Sequence, residues 1–299
     1  MLVRQRWVVS GIVVVLFLAG TAGWLSLGRP PVTWVVRHGL PSAGGPTGRS
    51  VEVEGVRFVE IGAGYYRRGS EHGWARGDLL GRWSAKVGLP WGTAPGRPTD
   101  EMPVRWVEIG SAYWLAATEV TNGQYERYDP QHARFWPGDE DPVTDVDWTE
   151  ARAYCDWLST RGSLSVRLPS EAEWEHACRA GSEREYCFGD DEAGLSEYGW
   201  SGANSDDRAH AAGTRRANAW GLFDLHGNVW EWCEDWYGPY AEAPCDGTAR
   251  TTPGASPIRV FRGGGWGISA VYCRSAFRNW WHPSFRIDAL GFRPAASGP

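Results

Sequence analysis

Tryptophan constrains the fold of this chain more than any other residue, because 20 of the 299 residues are Trp and only 2 are Met. The chain also contains 39 Gly and 19 Pro, so turns must be abundant. Helical bundles and coiled coils avoid Gly and Pro inside their elements, and disordered chains are poor in aromatic side chains. The composition therefore excludes these classes and predicts a globular fold rich in turns.

The charge of the chain excludes one class of partner. The formal net charge is −6, and Lys86 is the only lysine among 30 basic residues. Proteins that bind nucleic acids present a basic surface to the phosphate backbone. We therefore expect no nucleic-acid partner.

The N-terminus carries an uncharged, mostly apolar run over residues 7–27, preceded by Arg4 and Arg6. About 20 apolar residues can cross a bilayer, and basic residues before such a run keep the N-terminus inside the cell. Residues 1–30 are therefore predicted to be a single-pass anchor in the inner or plasma membrane. The alternative is a signal peptide cleaved after residues 1–22, which would make the protein secreted. In both cases the rest of the chain is expected to be extracytoplasmic, beginning with a Gly-, Pro- and Ser-rich linker over 31–54.

From residue 55 onward the pattern indicates short strands and a few helices. The segments 56–61 and 104–109 alternate apolar and polar residues, resemble each other, and predict two strands of one sheet. Helix starts are predicted at Thr121, Asp147 and Ser170, because Gln or Glu follows each of them three residues later. An apolar stripe at helical spacing follows Asp147, and Gly181 is predicted to end the third helix. The predicted class is α+β with much irregular structure.

Six cysteines lie in the second half of the chain, at positions 155, 178, 187, 233, 245 and 273. An even number of cysteines in an exported chain is typical of disulfide bonds. Their spacing contains no C-x-x-C pair, so a structural zinc site is not expected.

Six motifs follow one another between residues 119 and 293. They are EVTNGQY at 119–125, RLPSEAEWE at 167–175, GLFDLHGNVWEW at 221–232, RGGGW at 262–266, CRS at 273–275 and GFR at 291–293. Together they resemble the formylglycine-generating enzyme family, also called sulfatase-modifying factors. The resemblance implies one domain over residues 55–296, with a mixed α+β fold related to C-type lectins.

The resemblance also implies an oxidase chemistry that this sequence supports only in part. Active members of the family use O2 and a Cu(I) ion, held by two cysteine thiolates, to oxidise a sulfatase cysteine to formylglycine. In this chain Ile268 stands where the first copper cysteine would be, and Gly265 replaces a serine. Cys273 matches either the second copper cysteine or, counted back from Arg278 and Pro283, a later structural cysteine. Because one thiolate at most is present in either alignment, copper is not expected.

A disulfide is implied by the same resemblance. The pair Cys178–Cys273 approximates a bridge of the family, so we predict that these two cysteines are joined. The pairing of the other cysteines stays open, with a short 233–245 bridge as one alternative: Cys155, Cys187, Cys233 and Cys245.

Calcium is a further expectation from the resemblance. In the family, the loop around Gly-Asn-x-Trp-Glu-Trp binds Ca²⁺ through hard oxygen ligands. The matching positions in this chain are Asp224, Gly227, Val229 and Glu231. The alternative is that Asp224 and Glu231 anchor backbone amides and the surrounding tryptophans without a metal.

Arginines and aromatic residues follow one another closely in the segment 262–293. We predict that Trp280, Trp281, His282 and Phe285 form a binding face for a peptide, protein or carbohydrate, because aromatic residues are enriched at interaction hot spots. The alternative is a set of Arg–Trp stacks that holds irregular chain together. No catalytic residue is predicted.

These patterns favour a membrane-anchored, extracytoplasmic protein whose domain lacks an intact copper-binding cysteine pair and serves a binding or scaffold role. The alternative is a divergent oxidase of the family, acting on a sulfatase cysteine or in a related oxidation. A structural component of the cell envelope is a third hypothesis.

Overall fold

The structure is a computed structural model that describes residues 42–71, 100–254 and 257–298. The strands in these residues are β1 (Gly45–Val53), β2 (Val56–Gly62), β3 (Gly64–Arg68), β4 (Arg105–Ile109), β5 (Tyr113–Ala116), β6 (Ser165–Arg167), β7 (Trp230–Trp236), β8 (Arg259–Arg262), β9 (Asn279–Trp281), β10 (Leu290–Gly291) and β11 (Ala295–Ser297). The α-helices are α1 (Asn122–Tyr125), α2 (Trp148–Ser159), α3 (Glu171–Arg179) and α4 (Leu195–Tyr198). The predicted α+β class with short elements is confirmed.

The strands of the described residues form three sheets. The largest sheet has the antiparallel order β1-β2-β5-β11-β6. The second sheet has the order β10-β7-β8-β9, in which β10 runs parallel to β7, and β3 pairs with β4 in a two-stranded ribbon. Because β11 pairs with β5 on one side and β6 on the other, the C-terminal segment is fixed inside the largest sheet.

The two similar segments predicted as strands of one sheet lie in different sheets. Segment 56–61 belongs to β2, whereas 104–109 contains β4, which pairs with β3. β2 already has β1 on one edge and β5 on the other, so β4 has no place beside it. Alternating polarity thus predicted the two strands correctly but carried no information about their partners.

The linker prediction fails for residues 45–53. These residues form β1, which pairs antiparallel with β2. Glu54 and Gly55 connect the two strands with positive φ values of 50° and 79°, the geometry of a two-residue hairpin turn. Gly, Pro and Ser are tolerated here because β1 is an edge strand. The predicted anchor over residues 1–30 lies outside the described residues, and no helix within them is long and apolar enough to cross a membrane.

All three predicted capping boxes are present, at the starts of α1, α2 and α3. Helix α2 buries the predicted apolar stripe of Ala151, Tyr154, Cys155 and Leu158. Helix α3 is buried along its whole length and ends at Ala180, which adopts the left-handed conformation just before Gly181. Because every side chain of α3 is enclosed, its charged residues must find partners inside the protein.

Candidate functional site

The Gly-rich segment at 263–265 is packed directly against Cys273. Gly263 and Gly264 have φ values of 101° and 85°, which glycine adopts without strain. A Cβ atom on Gly264 would lie 2.4 Å from the Cys273 sulfur. The glycine therefore allows the chain to pass over the thiol. Ile268, five residues before Cys273, is also buried.

His226 lies against three of the cysteines. Its Nε2 accepts a hydrogen bond from the Cys187 backbone N–H at 3.1 Å and lies 3.6 Å from the Cys178 sulfur. Its Nδ1 lies 2.8 Å from the Cys273 carbonyl oxygen, so the proton of the ring belongs on Nδ1. Burial lowers the pKa of His226 to about 4, and the imidazole is neutral at physiological pH.

The structure records all six cysteines as free thiols and does not contain the predicted Cys178–Cys273 bridge, which stays a prediction. The Cys178 sulfur contacts His226 and the Leu225 carbonyl oxygen, whereas the Cys273 sulfur lies under Gly264. Burial raises the pKa of the Cys273 thiol to about 12, against a hydrogen bond from the Gly265 backbone that lowers it. Both sulfurs are thus held in other contacts as protonated thiols.

Glu231, one of the predicted calcium ligands, is the ion-pair partner of Arg293. Its two oxygens accept hydrogen bonds from the Arg293 guanidinium at 2.6 and 2.7 Å. One of these oxygens also accepts the indole N–H of Trp174 at 2.7 Å. Both carboxylate oxygens of Glu231 therefore already accept hydrogen bonds from within the protein.

Asp224 and Glu119 form a buried carboxyl pair beside this ion pair. Asp224 accepts the Gly213 backbone N–H at 2.6 Å through Oδ2, while its Oδ1 and the Oε2 of Glu119 find no donor group among the described residues. The two carboxyl groups are within hydrogen-bonding reach of each other. Burial raises the pKa of Asp224 to about 6, and burial followed by repulsion from Asp224 raises the pKa of Glu119 well above its usual range. A proton shared between the two carboxyl groups would satisfy both oxygens.

Two of the four predicted calcium ligands, Asp224 and Glu231, already have partners within the protein, and calcium binding itself stays a prediction. Glu231 is neutralised by Arg293, and within the described ranges no group of three His, Cys, Asp or Glu side chains is arranged to hold a metal ion. The geometry matches the alternative interpretation, since Asp224 accepts a backbone amide and Glu231 accepts the Trp174 indole.

A buried network of ion pairs surrounds α3, and sequence reasoning missed it. Glu171 accepts hydrogen bonds from Arg278 at 2.6 and 2.8 Å and from Arg68 at 2.6 Å. One turn later, Glu175 lies 2.6 Å from Arg262. The acids of the RLPSEAEWE motif are four residues apart, so they share one helix face. That spacing, together with the Arg-rich C-terminal segment, is the signal that could have revealed the network.

A cavity of about 580 Å³ opens between the end of β3, the loop after α3 and the segment 271–274. Its floor contains Arg274, which donates hydrogen bonds to Glu101 at 2.6 Å and to Glu185 at 2.8 Å. The Tyr186 hydroxyl donates a hydrogen bond to the Ala270 carbonyl oxygen and so connects the loop after α3 to the segment that leads into 271–274. Sequence reasoning did not predict this cavity, because its walls come from distant segments of the chain.

Three residues of the predicted binding face lie together. The Trp280 and Trp281 rings are nearly parallel, with their centroids 6.3 Å apart, and Trp281 lies 5.0 Å from Phe285. The fourth, His282, is exposed and bonds the Ser284 hydroxyl at 2.7 Å through Nδ1. The three aromatic residues are half-buried, so each retains accessible ring surface.

Arg–aromatic stacking, the alternative for this segment, also occurs. Arg262 lies over the Trp174 ring at 5.3 Å and Arg278 over the Tyr240 ring at 4.0 Å, and a further stack involves a residue before the segment. The Arg259 guanidinium lies between Trp148 and Trp236, at 3.7 and 3.5 Å from the ring centroids. Burial lowers the pKa of Arg259 to about 10. This stack links α2 to the β7–β8 pair and is structural.

Residues 81–297, most of the 299-residue chain, match the family described as "Sulfatase-modifying factor enzyme 1-like domain". The chain belongs to this family. Strands β1, β2 and β3 precede the matched stretch. β2 pairs with β5 and β3 pairs with β4, both within the stretch, and β1 pairs with β2.

The curated relatives of the chain include proteins named as oxidising enzymes and others named as serine/threonine-protein kinases. The chain is 33% identical over 242 residues to a formylglycine-generating enzyme of Streptomyces coelicolor, covering 73% of this chain and 63% of that protein. It is 34% identical over 212 residues to a hercynine oxygenase of Mycolicibacterium thermoresistibile, covering 64% of this chain and 44% of that protein. The chain thus spans less than two thirds of either relative.

The solved structure of PvdO from Pseudomonas aeruginosa is similar over nearly its whole length. The TM-score is 0.69 with 27% sequence identity, and the match covers 84% of this chain and 98% of PvdO. The predicted sulfatase-modifying-factor fold is therefore confirmed.

The copper pair implied by the sulfatase-modifying factor family does not fit the residues of this member. The first thiolate position is taken by Ile268, a buried aliphatic side chain that cannot ligate a metal. Cys273 alone supplies sulfur, as a buried thiol of raised pKa. Cu(I) in proteins is held by soft thiolate or thioether ligands, and one buried thiol does not make such a pair.

Proposed function

We propose that this member of the family is a membrane-attached, extracytoplasmic binding protein rather than a copper-dependent oxidase. The observation that carries the proposal is Ile268, a buried aliphatic side chain at the position of the first copper thiolate. The fold can persist without the metal, because the residues around this position are held by other contacts, such as the close packing of Gly264 on Cys273.

The aromatic face supplies the contact surface for this role. Trp281 and Phe285 pack together and keep part of their rings accessible, with the exposed His282 beside them. Aromatic side chains combine large apolar area with few rotatable bonds, so they bind peptides and sugars at low entropic cost. A protein, peptide or carbohydrate ligand fits such a face.

The decisive experiment is an oxidation assay on the full-length protein. The protein is incubated with Cu(I), O2 and a peptide that carries a sulfatase cysteine motif, and mass spectrometry detects replacement of the thiol by an aldehyde. We expect no conversion by the wild type, and conversion by the wild type would refute the proposal. Ile268→Cys is the matched variant, because conversion by this variant alone would identify Ile268 as the block.

A divergent oxidase is the second candidate, favoured by the names of the relatives in S. coelicolor and M. thermoresistibile. Such an enzyme would consume O2 with a substrate other than a sulfatase peptide. Substrate-dependent O2 uptake by the wild-type protein, measured with an oxygen electrode across candidate thiols and amines, would support this alternative over a binding role.

Attachment to the membrane rests on the apolar run over 7–27. We expect the mature protein to sediment with membranes and to begin before residue 22. N-terminal sequencing of the protein purified from cells distinguishes a retained anchor from a cleaved signal peptide.

A further inference from the structure

The cavity beside β3 is a preformed cleft. Its volume of about 580 Å³ lies within the range of roughly 300–1,000 Å³ typical of ligand pockets. One wall is fixed by Gly69, whose φ is 94° and whose added Cβ would lie 2.2 Å from the Glu101 carbonyl oxygen. No side chain can be placed there without moving that wall.

The buried arginines of the cleft already have partners. Arg274 is paired with Glu101 and Glu185, and Arg179 is paired with Glu175 at 2.8 Å. Both guanidinium groups are 5% exposed or less. Since these positive charges are neutralised below the surface, the floor offers no attraction for an anion.

The rim, in contrast, carries an excess of negative charge. Its charged residues are the acids Glu71, Glu183, Asp190 and Glu192 and the bases Arg67 and Arg184. Arg67 lies 2.7 Å from Glu71, and Arg184 lies 3.0 Å from Asp190. Glu183, at 3.6 Å, shares Arg67 with Glu71. Among the described residues that line the cleft, four rim carboxylates against two guanidinium groups leave an excess of two negative charges, assigned to Glu183 and Glu192.

We propose that this cleft binds an organic cation, namely an alkyl guanidinium or ammonium group. Its charge is balanced at the rim by Glu183 and Glu192, and its carbon stem packs on Val104 and Val271, which also line the cleft. The inference goes beyond the proposed function, because it assigns a ligand class to a site other than the aromatic face. The cation can belong to a basic side chain of a peptide or to a free polyamine.

Fluorescence anisotropy of full-length protein with a labelled, end-blocked peptide of alternating Arg and Gly tests this inference. The same peptide with Glu in place of Arg is the charge-reversed probe, and unlabelled spermidine is the competitor. The variant is Glu183→Gln/Glu192→Gln. Its matched control is Glu52→Gln/Glu140→Gln, which removes the same charge at exposed positions outside the cleft.

We expect the Arg peptide to bind, and the cleft variant to bind it about tenfold more weakly while the control variant binds it like the wild type. Binding should weaken as ionic strength rises from about 0.01 to about 0.15 M. Competition by spermidine would indicate that the free cation suffices, and its failure would indicate that the peptide is required. Equal binding by both variants, or equal binding of the Glu peptide, would overturn the inference. The oxidation assay with a sulfatase peptide tests the proposed function only, so its outcome does not change what the anisotropy experiment says about the cleft.

Discussion

Replacing Glu171 by Gln removes the carboxylate on which buried guanidinium groups converge. Arg278 and Arg68 both contact its oxygens, Arg262 lies 3.8 Å away, and all of these side chains are 1% exposed or less. Arg262 keeps Glu175 as a partner, but Arg68 and Arg278 have no other ion pair among the described residues. The substitution therefore leaves two buried positive charges uncompensated.

The size of the effect follows from the pKa of Glu171. Burial alone would raise it, but Arg278, Arg68 and Arg262 lower it from 4.5 to about 2. At about 1.4 kcal/mol per pKa unit, the carboxylate contributes about 3 kcal/mol to the free energy of unfolding at neutral pH. Removing one partner of a buried ion pair costs a similar amount, about 3–5 kcal/mol.

The sign of the pH dependence provides a second check. The folded-state pKa is depressed, so the stabilisation is present above about pH 4.5 and is lost as the pH falls toward about 2. The difference in the free energy of unfolding between wild type and Glu171→Gln should therefore fall, by about pH 3, to less than half of its value at neutral pH.

Urea denaturation followed by tryptophan fluorescence, at neutral pH and at about pH 3, measures both quantities. Glu242→Gln is the matched control, because Glu242 is 61% exposed and its pair with Arg250 should contribute less than about 1 kcal/mol. If Glu171→Gln lowers the free energy of unfolding by less than about 1 kcal/mol at neutral pH, or by the same amount at both pH values, the role assigned to Glu171 is wrong.

Further predictions concern the carboxyl pair, the thiols and the glycine over Cys273. Because the folded-state pKa of Asp224 is raised to about 6, stability from this group is lost as the pH rises through 6. The pKa of Glu119 is also raised well above its usual range, so Glu119 adds to the loss of stability, and Glu119→Gln should reduce the total. The loss of stability is measured as the difference between the urea midpoints at about pH 5 and pH 8. A higher midpoint of the wild type on adding Ca²⁺ would show that a cation can take the place of the proton between the two carboxyl groups. In native protein, a thiol reagent should label the exposed Cys245 first and the buried cysteines only after unfolding; labelling that never reaches Cys178 and Cys273 would show that they are bridged. Gly264→Ala should destabilise the fold by about 2 kcal/mol or more in a thermal melt, because the new methyl group meets the Cys273 sulfur at a positive φ; an unchanged melting temperature would contradict this.

Local signals in the sequence predicted local structure well. The capping boxes at Thr121, Asp147 and Ser170 each mark a helix start, because a cap needs only residues three positions apart. Sheet partners depend on distant segments, which explains why β4 pairs with β3 instead of joining β2. The β1 strand was missed because a Glu-Gly hairpin turn is a weaker signal than Asn-Gly or Asp-Gly.

Site chemistry was harder to predict than secondary structure. Glu231 has the residue type and motif of a calcium ligand, but only the fold shows that its carboxylate is paired with Arg293. Cys178 and Cys273 both have suitable positions for a disulfide, and only the packing around His226 and Gly264 shows where their sulfurs lie. In each case a residue from a distant segment decides the role.

The motifs that identify the family also supply residues of the buried ion pairs in this protein. Glu171 and Glu175 come from RLPSEAEWE, Glu231 from GNVWEW, and Arg262 and Arg293 from RGGGW and GFR; the contacts join one motif to another. A buried charge that loses its partner costs several kcal/mol, so these residues are constrained together whether or not the protein performs a reaction. The position of the first copper ligand has no such partner, and here an isoleucine fills it within the core. The motifs therefore specify the fold strongly, whereas the chemistry depends on positions outside these contacts.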